Sequence, residues 1–184
     1  MLTTFISIAV SVTVIAFWII SIRRRLEVMD ENISHAMRQI GVQVSARFDA
    51  LTALLNLTKN YEKQESEILI EIIKSRRSVI TARSTPDDVA HQERVFFEVL
   101  DRISMVTEQY PELKTNQTYI KTMSAIQTFE IMVCTSRLIY NDSVNKLNRE
   151  IRMLPISTIA GMLGFQRRTY LVDQADEEYI PSIK

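Results

Sequence analysis

The chain has three glycines and four prolines in 184 residues, one cysteine and two histidines. So little glycine and proline excludes a fold built from many tight turns, and points to long helices. A single cysteine, Cys134, excludes an internal disulfide framework. It is placed on the apolar side of its helix, where a reduced, buried thiol is the expected state. Charge is missing from one place altogether, since residues 1–22 carry no Asp, Glu, Lys or Arg. Three of the 22 Lys/Arg then follow at once, as Arg23, Arg24 and Arg25, and all 22 Asp/Glu come later. The remainder is therefore weakly acidic and has no basic stripe, which argues against nucleic acid as a partner.

The uncharged run from Leu2 to Ile22, LTTFISIAVSVTVIAFWIISI, makes about 31 Å of helix at 1.5 Å per residue, enough to cross a bilayer. A cleaved signal peptide fits less well, because no positive segment precedes the run and no small-x-small cleavage pattern follows it. Arginine occurs only on the C-terminal flank. By the positive-inside rule that flank is cytoplasmic, which leaves a short N-terminus outside and the body inside the cell. The expected organisation is a transmembrane anchor with its arginine flank (1–25), a helical body (26–172) and an acidic, mobile tail (173–184).

Apolar residues then recur at alternating spacings of three and four, among them Leu26, Met29, Ile33, Ile40, Val44, Phe48, Leu51, Leu55, Leu69 and Val79. That is one face of a helix, and no proline interrupts it before Pro86. Thr85-Pro86-Asp87-Asp88 is a helix start, with a Thr cap, proline at the first position and acids in the first turn. This second helix carries Val89, Phe96, Leu100, Ile103 and Val106 on one side, and ends at Tyr110-Pro111. Asn116 caps a third helix with the stripe Tyr119, Met123, Ile126, Cys134, Val144 and Ile151. Pro155 stops or bends it, and residues 156–163 form a short fourth helix before Gly164.

The fold class is thus all-α: a transmembrane helix, then an up-and-down antiparallel bundle of three long helices and a short fourth. Lengths pose a problem. A first helix over residues 26–82 extends about 85 Å, whereas the second extends about 36 Å. Either the membrane-proximal half is an unpaired stalk, or the first helix bends and packs on itself. An exposed apolar stripe of that length favours self-association.

Polar residues share the apolar faces. At 100° per residue, Glu130, Arg137, Asn141 and Asn148 fall within about 40° of one another on the third helix. Arg47, Glu65 and Arg76 occupy a similar arc in line with Ile40, Leu51 and Thr58. Buried charges are tolerated only when paired, so these seven residues read as a polar ladder fixing helix register. A regular hairpin sets Glu130 at the height of Arg76. The rival reading is a metal or acid–base site. Di-iron bundles need several Glu and two Glu-x-x-His pairs facing inward, and the nearest match here is Asp88-Val-Ala-His91. His91 and His35 both point away from their apolar faces. No nucleophile–base pair or phosphate-binding glycine loop occurs, so neither catalysis nor a cofactor is expected.

The same residues carry a resemblance. The chain resembles the LemA family, whose Glu, Arg, Tyr-Asn-x-x-Val, second Asn and Phe-Pro fall on Glu130, Arg137, Tyr140-Asn141, Val144, Asn148 and Pro155. Leu154 stands for the Phe, and Leu147 for the aromatic before the second Asn. Tyr-Pro-Glu-Leu-Lys is intact at 110–114. Upstream, Gln39-Ile40, Val42-Gln43, Arg47, Asp49, Tyr61, Glu65, Leu69 and Arg76 match further segments. The family's Ile-Pro-Asn-Leu is Leu51-Thr52-Ala53-Leu54 here, so no proline kink is implied, and Gly41 and Ala46 replace charged residues. Over residues 26–170 the resemblance implies a membrane-anchored bundle with no catalytic residue. Function is then expected through helix surfaces. The protein would be a scaffold or interaction module joining the lipid bilayer to protein partners or to its own copies. The alternatives are a membrane-linked sensory or regulatory bundle and, more remotely, a metal-dependent enzyme.

Overall fold

A computed structural model describes residues 2–171, so the acidic tail lies outside the described residues. The chain is all-helical there. Helix α1 spans Leu2–Thr58, α2 Lys63–Arg76, α3 Pro86–Gln109, α4 Gln117–Glu150 and α5 Ile156–Met162, with a 3-10 turn at Pro111–Thr115. No strand occurs among the described residues. The helices contribute to two compact units, one made of residues 2–34 and Tyr140–Tyr170, the other of His35–Ile139 and Leu171.

In the second unit the length problem is resolved by a reversal. The first helix does not continue to residue 82. It stops at Thr58, and after four residues α2 begins and folds back. The Oγ atoms of Thr58 and Ser66 lie 3.0 Å apart inside the reversal, and Lys59 Nζ pairs with Glu67 at 3.1 Å. The extended segment after α2 continues the return along α1. Arg77 donates to Asp49 Oδ1 at 2.7 Å, and a Cβ placed on Gly41 would stand 2.3 Å from the carbonyl oxygen of Ile80. Only a residue without a side chain admits that approach. Gln92 on α3, fully buried, secures the segment from its other side. Its Oε1 accepts from the Ser78 N–H at 2.9 Å, while its Nε2 donates to the Arg76 carbonyl at 3.1 Å.

Helix α3 keeps the boundaries that its local chemistry dictates. Thr85 Oγ1 accepts from the Asp88 N–H, and Asp88 Oδ2 accepts from the Thr85 N–H at 2.7 Å. This reciprocal cap holds the Asp88 carboxyl below its usual range, because the Thr85 backbone and hydroxyl donors both favour the charged form. Phe96 packs edge-on against Phe48 of α1, with ring centroids 5.8 Å apart. Both are buried with Met37, Ile40, Leu51 and Ile103. Helix α4 starts where Asn116 Oδ1 accepts from the Thr118 and Tyr119 N–H groups. Its buried line runs through Ile126 and Val133. Cys134 is exposed rather than buried: one residue beyond Val133, it is turned about 100° off that line.

In the first unit, α1 is exposed and uncharged from Thr3 to Ser21 and begins to be buried at Ile22 and Leu26. The apolar part is long enough to cross a membrane. Arg25 donates to Glu150 Oε2 at 3.2 Å, which ties the end of α4 to the helix flank. Val144 and Leu147 of α4 are fully buried. Gly164, with φ of 79°, turns the chain after α5, a conformation that glycine adopts at little cost.

Candidate functional site

The second unit gathers four charges from three helices. Arg47 comes from α1, Glu93 from α3, and Glu130 and Arg137 from α4. Each lies on or beside the apolar stripe of its helix, so the burial that forms the core carries the charges inward. Arg47 has no exposed surface. Its Nη1 donates to Glu130 Oε2, and its guanidinium carbon lies 3.9 Å from the centre of the Phe96 ring, a cation–π stack. Arg47 Nε and Nη2 have no hydrogen-bond partner. Burial pulls this guanidinium below its ordinary range, against the attraction of Glu130 and Glu93. Arginine stays protonated in proteins, so that burial is a stability cost rather than a change of charge.

Arg137 Nη1 donates to both carboxylate oxygens of Glu93, at 3.0 and 2.9 Å. The Glu93 side chain is 3% exposed. Burial pushes its carboxyl above the usual range, Arg137 and Arg47 oppose the shift, and the neighbouring Glu130 adds to it. Two cations and two anions are thus largely spent on one another.

The other expected ladder residues lie elsewhere. Glu65 accepts from Arg102 at 3.3 Å, at the rim of a shallow cavity of about 350 Å³ lined also by Ile68 and Met105. Arg76 is exposed and pairs with Glu98 at 2.9 Å. Glu130 therefore meets Arg47, not the height of Arg76. The helical phase carried forward from Arg47 is lost at the reversal between Thr58 and Lys63. Glu93, Gln92 and Arg77 were not singled out in the sequence. Glu93 had a signal, since it sits four residues after Val89 and three before Phe96, on the apolar side of α3.

Asn148 belongs to the first unit. Its Nδ2 donates to the Arg168 carbonyl and its Oδ1 accepts from the Arg168 N–H, both at 2.9 Å. The side-chain amide thus grips the extended segment after α5 as a neighbouring strand would. Tyr140 donates its hydroxyl to the Thr169 carbonyl at 3.0 Å, and burial raises its phenol, against the nearby charge of Arg168. Arg168 in turn forks onto Asp30 of α1, at 2.9 and 3.0 Å. Asn141 is half-buried on the same helix. Among the basic flank, Arg23 pairs with Glu27 at 2.8 Å, Arg25 with Glu150, and Arg24 is exposed.

His35 and His91 are both exposed. Among the described residues no group of three or more His, Cys, Asp or Glu side chains is close enough to hold a metal ion.

Comparison with known proteins adds a family and two relatives. The model of the LemA family matches residues 36–184. Magnetosome proteins MamQ 1 and MamQ 2 of Paramagnetospirillum magneticum are each 32% identical over 79 residues, which is 43% of this chain and 29% of theirs. The chain therefore spans under a third of the length of the curated relatives it matches.

Proposed function

The chain belongs to the LemA family, and from that premise we propose that it is a non-enzymatic, single-pass bacterial membrane protein whose helical bundle serves as a scaffold or interaction module. The uncharged part of α1 is the anchor. Arginine on its C-terminal flank alone favours a cytoplasmic bundle. The buried charges act within the fold: pairing Arg47 with Glu130 and Glu93 with Arg137 selects one register of α1, α3 and α4, because a slip would strand a charge in the core.

The observation that supports an interaction role is the outer face of α4. Ile120, Ile131 and Leu138 are 45%, 68% and 60% exposed, and they align within about 20° at 100° per residue. Between Lys121 and Arg137 the helix carries one charge, Glu130, which is half-exposed, pairs with Arg47 and lies about 80–100° off this line. An apolar line of this kind, without charged residues breaking it, marks an association surface.

The test is in-cell cross-linking of the C-terminally tagged full chain, beside an Ile131→Glu, Leu138→Glu variant. A discrete homo-oligomer or partner that disappears in the variant supports the scaffold reading. A strictly monomeric, partnerless protein under several growth conditions overturns it.

A further inference from the structure

The corner that follows α4 carries side chains that the bundle does not use. Past Glu150 the chain turns through residues 151–155 into α5, and on this stretch Leu154 is 82% exposed, Met162 84% and Met153 44%. Arg149, Arg152 and Arg167 are exposed around them, and Arg152 and Arg167 share the lining of one shallow cavity with Phe165. A single exposed Leu or Met needs no explanation. Three of them within ten residues, flanked by Arg149 and Arg152 before and Arg167 after, have the composition of a segment that lies in a membrane interface.

Position supports the same conclusion. Glu150 is held by Arg25 at 3.2 Å, and Arg25 closes the basic triplet that follows the uncharged run. Ile22, the last residue of that run, is already buried, so one face of α1 is covered right up to its apolar part. If that run spans a bilayer, Arg23–Arg25 stand at headgroup level, and the corner next to Glu150 stands there too. The arginines match anionic headgroups in charge, each contributing about a fivefold gain in attachment near such a surface.

We propose that the turn after α4 and helix α5 form a membrane-docking surface, with Leu154 and Met162 entering the interface of an anionic bilayer and Arg149, Arg152 and Arg167 pairing with lipid phosphates. The proposal rests on reading the uncharged part of α1 as a bilayer span. The first unit is then fixed to the membrane at two points.

The experiment uses the full chain carrying Cys134→Ser, with single cysteines introduced as Leu154→Cys or Val12→Cys and labelled with an environment-sensitive fluorophore. Each is reconstituted in phosphatidylcholine vesicles with or without phosphatidylglycerol, containing nitroxide lipids labelled at the headgroup or deep in the acyl chain. The expected result is a blue-shifted probe at 154, quenched from the headgroup and more strongly with phosphatidylglycerol. The probe at 12 is quenched from the acyl chain. Adding Arg149→Glu and Arg152→Glu abolishes the quenching at 154 while the helical circular-dichroism signal stays. Quenching at 12 with none at 154, or equal quenching at 154 in both lipids, overturns the docking surface and leaves the span standing. No quenching at 12 overturns the span, and the docking surface with it.

Discussion

Arg47, with no exposed surface, gives one guanidinium nitrogen to Glu130, whose side chain is 43% exposed. The pair joins α1 to α4 from opposite sides of the solvent boundary: the arginine is fully desolvated, the carboxylate only partly. Removing the carboxylate should therefore cost more than removing the arginine. Glu130→Ala leaves a buried cation without its anion. A loss of about 3 kcal/mol is expected, the low end for breaking a buried pair, since water reaches the Glu130 side. Arg47→Met removes the charge together with two unpartnered guanidinium nitrogens and keeps contact with Phe96, so a smaller loss or none is expected. Urea unfolding of both variants checks the order. An unchanged midpoint for Glu130→Ala would mean that Arg47 does not depend on this partner.

Gly41→Ala tests the return segment. On an open helix this change stabilises by about 0.5–1 kcal/mol. Here the new methyl meets the Ile80 carbonyl, and forcing it in costs about 1–3 kcal/mol. A net loss of about 1–2 kcal/mol is expected, with faster amide exchange around Ser78 as Arg77 and Gln92 lose their hold. A raised melting temperature would contradict the close approach.

These two sites show what a single sequence can and cannot disclose. The limits of α3 were legible because Thr85, Asp88 and Pro111 carry the boundary in their own side chains and ring. The alignment of Glu130 with Arg137 was legible too, because both ride one unbroken helix. The reversal after Thr58 was not. No proline or glycine marks it, and tertiary packing, α2 against α3, overrides an uninterrupted apolar period. Glu65 and Arg76 lie beyond that reversal, so their reckoned phase failed. Partner choice failed for a related reason: which residues of α1 and α4 meet depends on the offset between helices, and periodicity along each one does not contain it. The cysteine error was smaller in kind, a stripe followed one residue too far, from Val133 to Cys134.

Asn148→Asp should loosen the segment after α5. The carboxylate can still accept from the Arg168 N–H, but it cannot donate to the Arg168 carbonyl. A part-buried acceptor left without its donor costs about 1 kcal/mol, the low end of the range for a fully buried one. The effect is expected to be local, read as faster tryptic cleavage after Arg167 and Arg168 while urea unfolding of the rest changes little. Asp30→Asn, which weakens the fork on the same arginine from α1, should accelerate cleavage in the same way. Equal cleavage rates in wild type and both variants would show that the segment is held by other contacts.

Glu93 sets a pH dependence whose sign separates burial from pairing. Its carboxyl is raised above the ordinary carboxylate value by burial, with Glu130 adding to the shift and Arg137 and Arg47 opposing it. Between the ordinary value, about 4.3, and the raised one, the folded state holds a proton that the unfolded state has released. Stability from this group is therefore fully present below the ordinary value and declines as pH rises through the folded-state value. Glu93→Gln keeps an acceptor for Arg137 and cannot titrate, so it should remove this decline. The unfolding free energy of wild type minus that of Glu93→Gln, measured from about pH 4 to pH 8, is expected to fall with rising pH over the range just above the ordinary carboxylate value. The opposite slope, with wild type gaining on the variant as pH rises, would mean that the ion pair with Arg137 outweighs the burial of Glu93. The cluster would then hold its helices by attraction rather than by the cost of misplacing a charge.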